Sequence, residues 1–144
     1  MGPVYVDTSA LVKFYYPEKD SDRIDALLLR SERVFVSRLA VVEFAAALGK
    51  KVRMGELKPG EETILWEAFQ DDIQGAAMEL VDLDERHFTK AAGYIRQFGG
   101  RCRIKTLDAL HLAQAHDLRD CSLLCTDETM LRVAGRLGIR KARY

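Results

Sequence analysis

VYVDTSALVKFYY, residues 4–16, carries the reading of the fold. A short run of β-branched and aromatic residues stops at an acid, Asp7. Small hydroxyl residues follow, and then apolar residues at helical spacing. That order describes a buried strand running straight into a helix, with a carboxylate at the junction. The same grammar recurs in LLCTDETML, residues 123–131, where Asp127 stands between an apolar run and a helical pattern.

Outward from these segments, short apolar runs alternate with longer helical patterns. Strands are expected at 4–6, 34–36, 79–83 and 122–125, with a further short one near 139–142. Helices are expected at 9–16, 20–30, 38–53, 60–74, 84–98, 107–118 and 128–137. Pro17, Gly55, Pro59-Gly60, Gly99-Gly100 and Gly138 punctuate these boundaries. Ser37 is placed to cap the helix after the second strand. Such alternation predicts a mainly parallel sheet covered on both faces by helices, with ligands bound at the carboxyl ends of the strands.

The chain has 144 residues, enough for one domain with its own core, and no linker, repeat or low-complexity stretch divides it; a single domain over 1–144 is expected. Lys plus Arg equals Asp plus Glu at 22 each, so overall charge does not announce a polyanionic partner. The longest nearly apolar stretch, 39–48, is interrupted by Glu43 and is shorter than the ~20 residues of a membrane span. With no basic segment or apolar leader before Val4, a cytoplasmic protein without membrane association is expected. Cys121 and Cys125 flank a strand whose length, ~13 Å, exceeds disulfide reach. Together with Cys102 they are read as reduced thiols.

Four acids are brought to one sheet edge by this organisation. Asp7 and Asp127 follow strands. Glu43 lies early in the helix after the second strand, and Asp108 in the first turn of the helix before the fourth. Glu43 shares a stripe with Leu39, Val42, Ala46 and Ala47, so it is expected to be buried and to need a partner or a cation. Such a carboxylate set suits a hard divalent cation, Mg²⁺ or Mn²⁺, which can bind a phosphodiester and activate water. Thr8, Ser9 and Thr126 are candidates to orient its surroundings. Singly, Asp7 and Asp127 also suit helix caps and Asp108 a favourable first-turn charge.

VYVDTSALVKFYY, VSRLAVVEFAAAL (36–48), IKTLDALHLAQA (104–115) and LLCTDETML together resemble the PIN-domain ribonucleases, and among them the VapC toxins of toxin–antitoxin pairs. The segments stand in family order along essentially the whole chain. The resemblance implies a three-layer α/β/α sandwich with sheet order 3-2-1-4-5, and maps the family's acids onto Asp7, Glu43, Asp108 and Asp127. It implies endoribonuclease activity with Mg²⁺ or Mn²⁺, a VapB-like antitoxin partner and a homodimer. Lys105 departs from the arginine that many relatives carry before the Leu-Asp-Ala segment, which touches substrate contacts rather than chemistry.

Lys13, Arg38, Arg101, Arg103 and Lys105 lie near the same edge and are candidates for holding RNA phosphates. Arg132, Arg136, Arg140, Lys141 and Arg143 form a second basic group, read as a solvated face. His87, His111 and His116 are assigned structural roles, although His111 is one turn from Asp108. Trp66 and Phe69 are read as core. Walker, dinucleotide and nucleophile-elbow motifs are absent. Rival readings are a processing nuclease outside any toxin pair, a non-cutting scaffold, and a Mg²⁺-binding receiver-like signalling module. Labelling by acetyl phosphate would favour the last.

Overall fold

A computed structural model describes all residues 1–144. Four strands, β1 (Val4–Val6), β2 (Val34–Ser37), β3 (Glu79–Val81) and β4 (Ser122–Leu124), form one parallel sheet ordered β3-β2-β1-β4. Seven helices surround it: α1 (Thr8–Tyr15), α2 (Ser21–Leu29), α3 (Arg38–Arg53), α4 (Pro59–Gln74), α5 (Glu85–Phe98), α6 (Thr106–Asp117) and α7 (Glu128–Arg136). The central strands are buried on both faces, which is why they read as unbroken apolar runs.

The alternation of side chains along each strand divides the core in two. Val4, Val6, Val34, Val36 and Leu124 pack with Leu11, Ile24, Leu27, Phe44, Leu48 and Phe69 from α1 to α4. Tyr5, Phe35 and Leu123 point the other way, against Ala91, Phe98, Leu112, Met130 and Val133 from α5 to α7. The result is the expected α/β/α sandwich. Phe69 is fully buried and Trp66 packs against the same cluster, so both serve the core.

Three strand expectations shrink, that at 122–125 only by its last residue. Residues 139–142 run beside β4, but only Leu123 and Lys141 form a bridge, with Leu123 N–H donating to Arg140 and Ala142 N–H to Leu123. β4 ends at Leu124 and leaves its neighbour little to pair with. The fifth place in the sheet is thus filled without a fifth strand. β3 likewise stops at Val81, because its partner residue Ser37 ends β2 and turns to cap α3 through Leu39 N–H. Gly138 takes a left-handed φ of 74° just past α7, the conformation that ends a helix most easily with glycine. All three cysteines are free thiols.

The stripe drawn around Glu43 needs correction. The core face of α3 is Ala40, Phe44 and Leu48, spaced by four. Val42 is 69% exposed and Ala46 is exposed too. Glu43 sits on the flank of this face. Its partial burial comes from neighbouring elements, α1 and α6, rather than from its own helix.

Candidate functional site

At the carboxyl edge of the sheet, parallel pairing of β1 with β4 sets Val6 opposite Leu124, and Asp7 N–H donates to the Leu124 carbonyl at 3.0 Å. Asp7 and the turn 125–127 are thereby adjacent. Asp7 is buried. Its Oδ1 accepts from Ala10 N–H at 3.0 Å and so caps α1, while the Ser9 hydroxyl lies 2.8 and 2.9 Å from its two oxygens. Ser9 Oγ also accepts from Thr126 N–H at 3.0 Å, tying the two strand ends together. Thr126 therefore enters through its backbone. Burial raises the pKa of Asp7 despite these bonds and despite the nearby His111.

Glu43 is held differently. Its Oε1 accepts from the Thr8 hydroxyl at 2.8 Å and stands 2.5 Å from His111 Nε2. Burial pushes its pKa up, but the hydrogen bonds and charge of His111, with Thr8, outweigh this and leave it lowered. His111 is buried on α6, with Nδ1 2.7 Å from the Tyr5 hydroxyl. Tyr5 donates to Gln114 Oε1 at 3.1 Å, and Gln114 Nε2 donates to the Val81 carbonyl at 3.3 Å. This chain runs from the β3 end to Glu43.

Asp108 and Asp127 form the outer part. Asp108, half-buried, accepts from Lys105 N–H at 3.3 Å. Burial raises its pKa, and the negative charge of Asp127 adds to the rise although the backbone bond opposes it. Asp127 is exposed and caps α7 through Met130 N–H at 2.8 Å. Three of the four acids therefore do cap or brace helix starts. Each of the four nevertheless keeps one oxygen without a backbone bond, since those contacts use Asp7 Oδ1, Asp108 Oδ2 and Asp127 Oδ1 and Glu43 has none.

The acids share an edge without forming a closed cage: no three His, Cys, Asp or Glu side chains lie so as to hold one metal ion. The physical reason is local. Each carboxylate leans on its own donor, and like charges do not converge without a counter-ion. The donor chemistry, all carboxylate and hydroxyl oxygen, still fits a hard divalent cation.

Among the basic candidates, Lys13 donates to the Lys19 carbonyl at 3.1 Å and Arg38 is paired with Asp82. Arg101, Arg103 and Lys105 are exposed and have no ion pair, and the same holds for Arg132, Arg136, Arg140, Lys141 and Arg143. Asp82 is thus taken by Arg38, and Asp84 caps α5, so the acids after β3 do not build a receiver-type phospho-acceptor site. His111 is the site residue that sequence reading undervalued. Its signal was present: a histidine one turn beyond Asp108, on a helix already assigned to the edge.

A family model described as PIN domain matches residues 4–136. The chain belongs to the PIN-domain family. This PIN domain is 31% identical over 141 residues to Ribonuclease VapC46 of Mycobacterium tuberculosis, covering 96% of this chain and 95% of that protein, and so sits in the VapC branch. Its fold is shared by FitAcB of Neisseria gonorrhoeae, at a TM-score of 0.70 and 17% identity over 97% of this chain and 96% of that one. DNA-bound VapBC of Salmonella typhimurium matches at a TM-score of 0.68 and 18% identity, over 99% and 98%. The fold is also similar to that of VapBC2 of Rickettsia felis bound to a promoter DNA fragment, at a TM-score of 0.67 and 14% identity over 99% of this chain and 98% of that one.

Proposed function

We propose that this PIN domain is a metal-dependent endoribonuclease and the toxin of a toxin–antitoxin pair, acting in the cytoplasm. The observation that carries the reading is the four acids at one sheet edge, each braced by the fold, with one oxygen of Glu43, Asp108 and Asp127 left without a hydrogen bond. Asp7, Glu43, Asp108 and Asp127 would hold Mg²⁺ or Mn²⁺, which when bound supplies charge neutralisation at a phosphodiester and an acidified water. The chain's own contribution is to bring these carboxylates to one edge and orient them. Ser9 orients Asp7 and Thr8 orients Glu43.

RNA is the substrate that the ribonuclease relative suggests. Arg101, Arg103 and Lys105 directly precede α6, and their free cationic heads suit phosphates flanking the cut. A VapB-like antitoxin is the partner that fits, because several structural neighbours are named as complexes of that kind. A homodimer is the further assembly we propose. Exposed Val42 on α3, Met54 just past its end and Ile64 on α4 offer apolar surface for protein partners. No helix is long and apolar enough to cross a membrane.

The test is incubation of the purified protein with a mixed RNA pool in Mg²⁺, Mn²⁺ or EDTA, beside Asp7→Asn. Cleavage is expected with the metals and absent with EDTA and in the variant, with mapped ends giving the target. Cleavage that persists equally in EDTA contradicts the reading. A short DNA-binding protein encoded beside the gene is expected for the toxin role; a solitary gene favours an RNA-processing nuclease instead.

A further inference from the structure

The chain of hydrogen bonds behind Glu43 has a defined direction. Gln114 Nε2 is committed to the Val81 carbonyl, so the amide oxygen faces Tyr5 and must receive the single tyrosine proton. The tyrosine oxygen therefore accepts from His111 Nδ1, which must carry a hydrogen. On the other ring nitrogen, Nε2 meets Glu43 Oε1 at 2.5 Å, a separation that requires a proton between them. Thr8 Oγ1 lies 3.3 Å from the same nitrogen and donates to the same carboxylate oxygen. Every polar atom in this array is accounted for except Glu43 Oε2.

A histidine that merely fills a core would end such a chain on backbone. This one ends on an acid whose second oxygen remains open at the sheet edge. We propose that His111 is a positioning residue for Glu43, fixing its carboxylate through Oε1 so that Oε2 is presented to the divalent ion, and that Tyr5 and Gln114 in turn fix the imidazole. The proposal rests on the metal-dependent reading of the site.

Physically, a glutamate on a helix flank has three rotatable bonds, and holding it in one arrangement before the ion arrives removes an ordering cost from binding. Thr8 alone would leave the carboxylate one donor and freedom to swing about it.

The experiment is Mn²⁺ titration of the intact protein, by calorimetry and by loss of the free-ion paramagnetic resonance signal. Wild type is compared with Glu43→Gln, His111→Leu, His111→Gln and Tyr5→Phe, and the melting temperature of each is recorded alongside. His111→Leu is expected to bind Mn²⁺ about 10–100-fold more weakly, the range typical of partners behind a metal ligand. His111→Gln keeps an N–H donor on a flat polar side chain and is expected to recover part of that loss. Tyr5→Phe removes one oxygen only and is expected to weaken Mn²⁺ binding without displacing the core. It therefore remains informative if His111→Leu does not fold.

Wild-type Mn²⁺ affinity in both folded His111→Leu and Tyr5→Phe, or in Tyr5→Phe alone if the leucine variant does not fold, overturns the proposal. So does His111→Gln binding no better than a folded His111→Leu. If Glu43→Gln abolishes binding while the His111 and Tyr5 variants do not change it, the metal site stands and only the positioning role falls. Wild-type protein that takes up no Mn²⁺ overturns the metal-dependent reading and the positioning role together.

Discussion

The two halves of the candidate site are built to different standards. In the inner half, Asp7 and Glu43 accept from Ser9, Ala10, Thr8 and His111 and are wholly or partly buried. In the outer half, Asp108 and Asp127 each have one backbone donor, and Asp127 is exposed. The inner half is pre-organised; the outer half is free to close on whatever enters. A site of this kind can grip an ion from one side and still admit a polymer from the other. The difference follows from position, since Asp7 continues a central strand whereas Asp127 opens a helix beyond the sheet's last full strand.

The largest expected effect breaks the inner half. Asp7→Asn and Glu43→Gln are each expected to lower RNA cleavage by roughly a thousandfold or more, about 4 kcal/mol of barrier. Asp108→Asn and Asp127→Asn are expected to cost less, about 10–100-fold, because a mobile ligand is more readily replaced by water. Single-turnover rates with a defined RNA at saturating Mg²⁺ measure both. Equal losses on the two sides would erase the distinction between the halves.

A smaller effect concerns stability, and it separates Asp7 from Glu43. Burial raises the pKa of Asp7, so the folded chain binds its proton more readily than the unfolded chain does. Ionisation then works against folding as pH rises through the raised value. Asp7→Asn removes that cost and keeps an oxygen to accept from Ala10. In EDTA it is expected to melt above wild type at pH 8, by about 2–4 °C for each kcal/mol relieved, with the gap closing toward acid pH. Glu43 has the opposite sign. Its lowered pKa contributes stability above the unfolded value, lost as pH falls through the folded one. Glu43→Gln is therefore expected to melt below wild type at neutral pH and to converge with it in acid. Thermal scans from about pH 2 to pH 8 check both.

How much of this was legible in the sequence depends on how local the determining forces are. The helix from Arg38 to Arg53 and the strand from Val4 to Val6 were read at their observed bounds, because Ser37 and Gly55 bracket the helix and Asp7 stops the apolar run of the strand. Strand ends were less legible, since β3 and β4 stop where a neighbour stops pairing, which no residue within them announces. Asp7, Asp108 and Asp127 were placed correctly at the edge because each adjoins a strand or helix boundary. Glu43 was placed at that edge for a partly mistaken reason. Its stripe is not the core face, and its burial is made by Thr8 and His111 from other elements. The Tyr5–His111–Gln114 chain spans residues more than a hundred positions apart, beyond any periodicity. The basic candidates divided on a similar point, because Arg38 finds Asp82 across the sheet whereas Arg101 and Arg103 find no acid.

The most direct measurement is anomalous diffraction from crystals of the protein grown with Mn²⁺. The account predicts a manganese peak at the carboxyl edge of the sheet, bonded to Asp7 and to at least one oxygen among Glu43, Asp108 and Asp127. A structure in which Mn²⁺ is present but bound elsewhere, with these four carboxylates still resting on their separate donors, would contradict it.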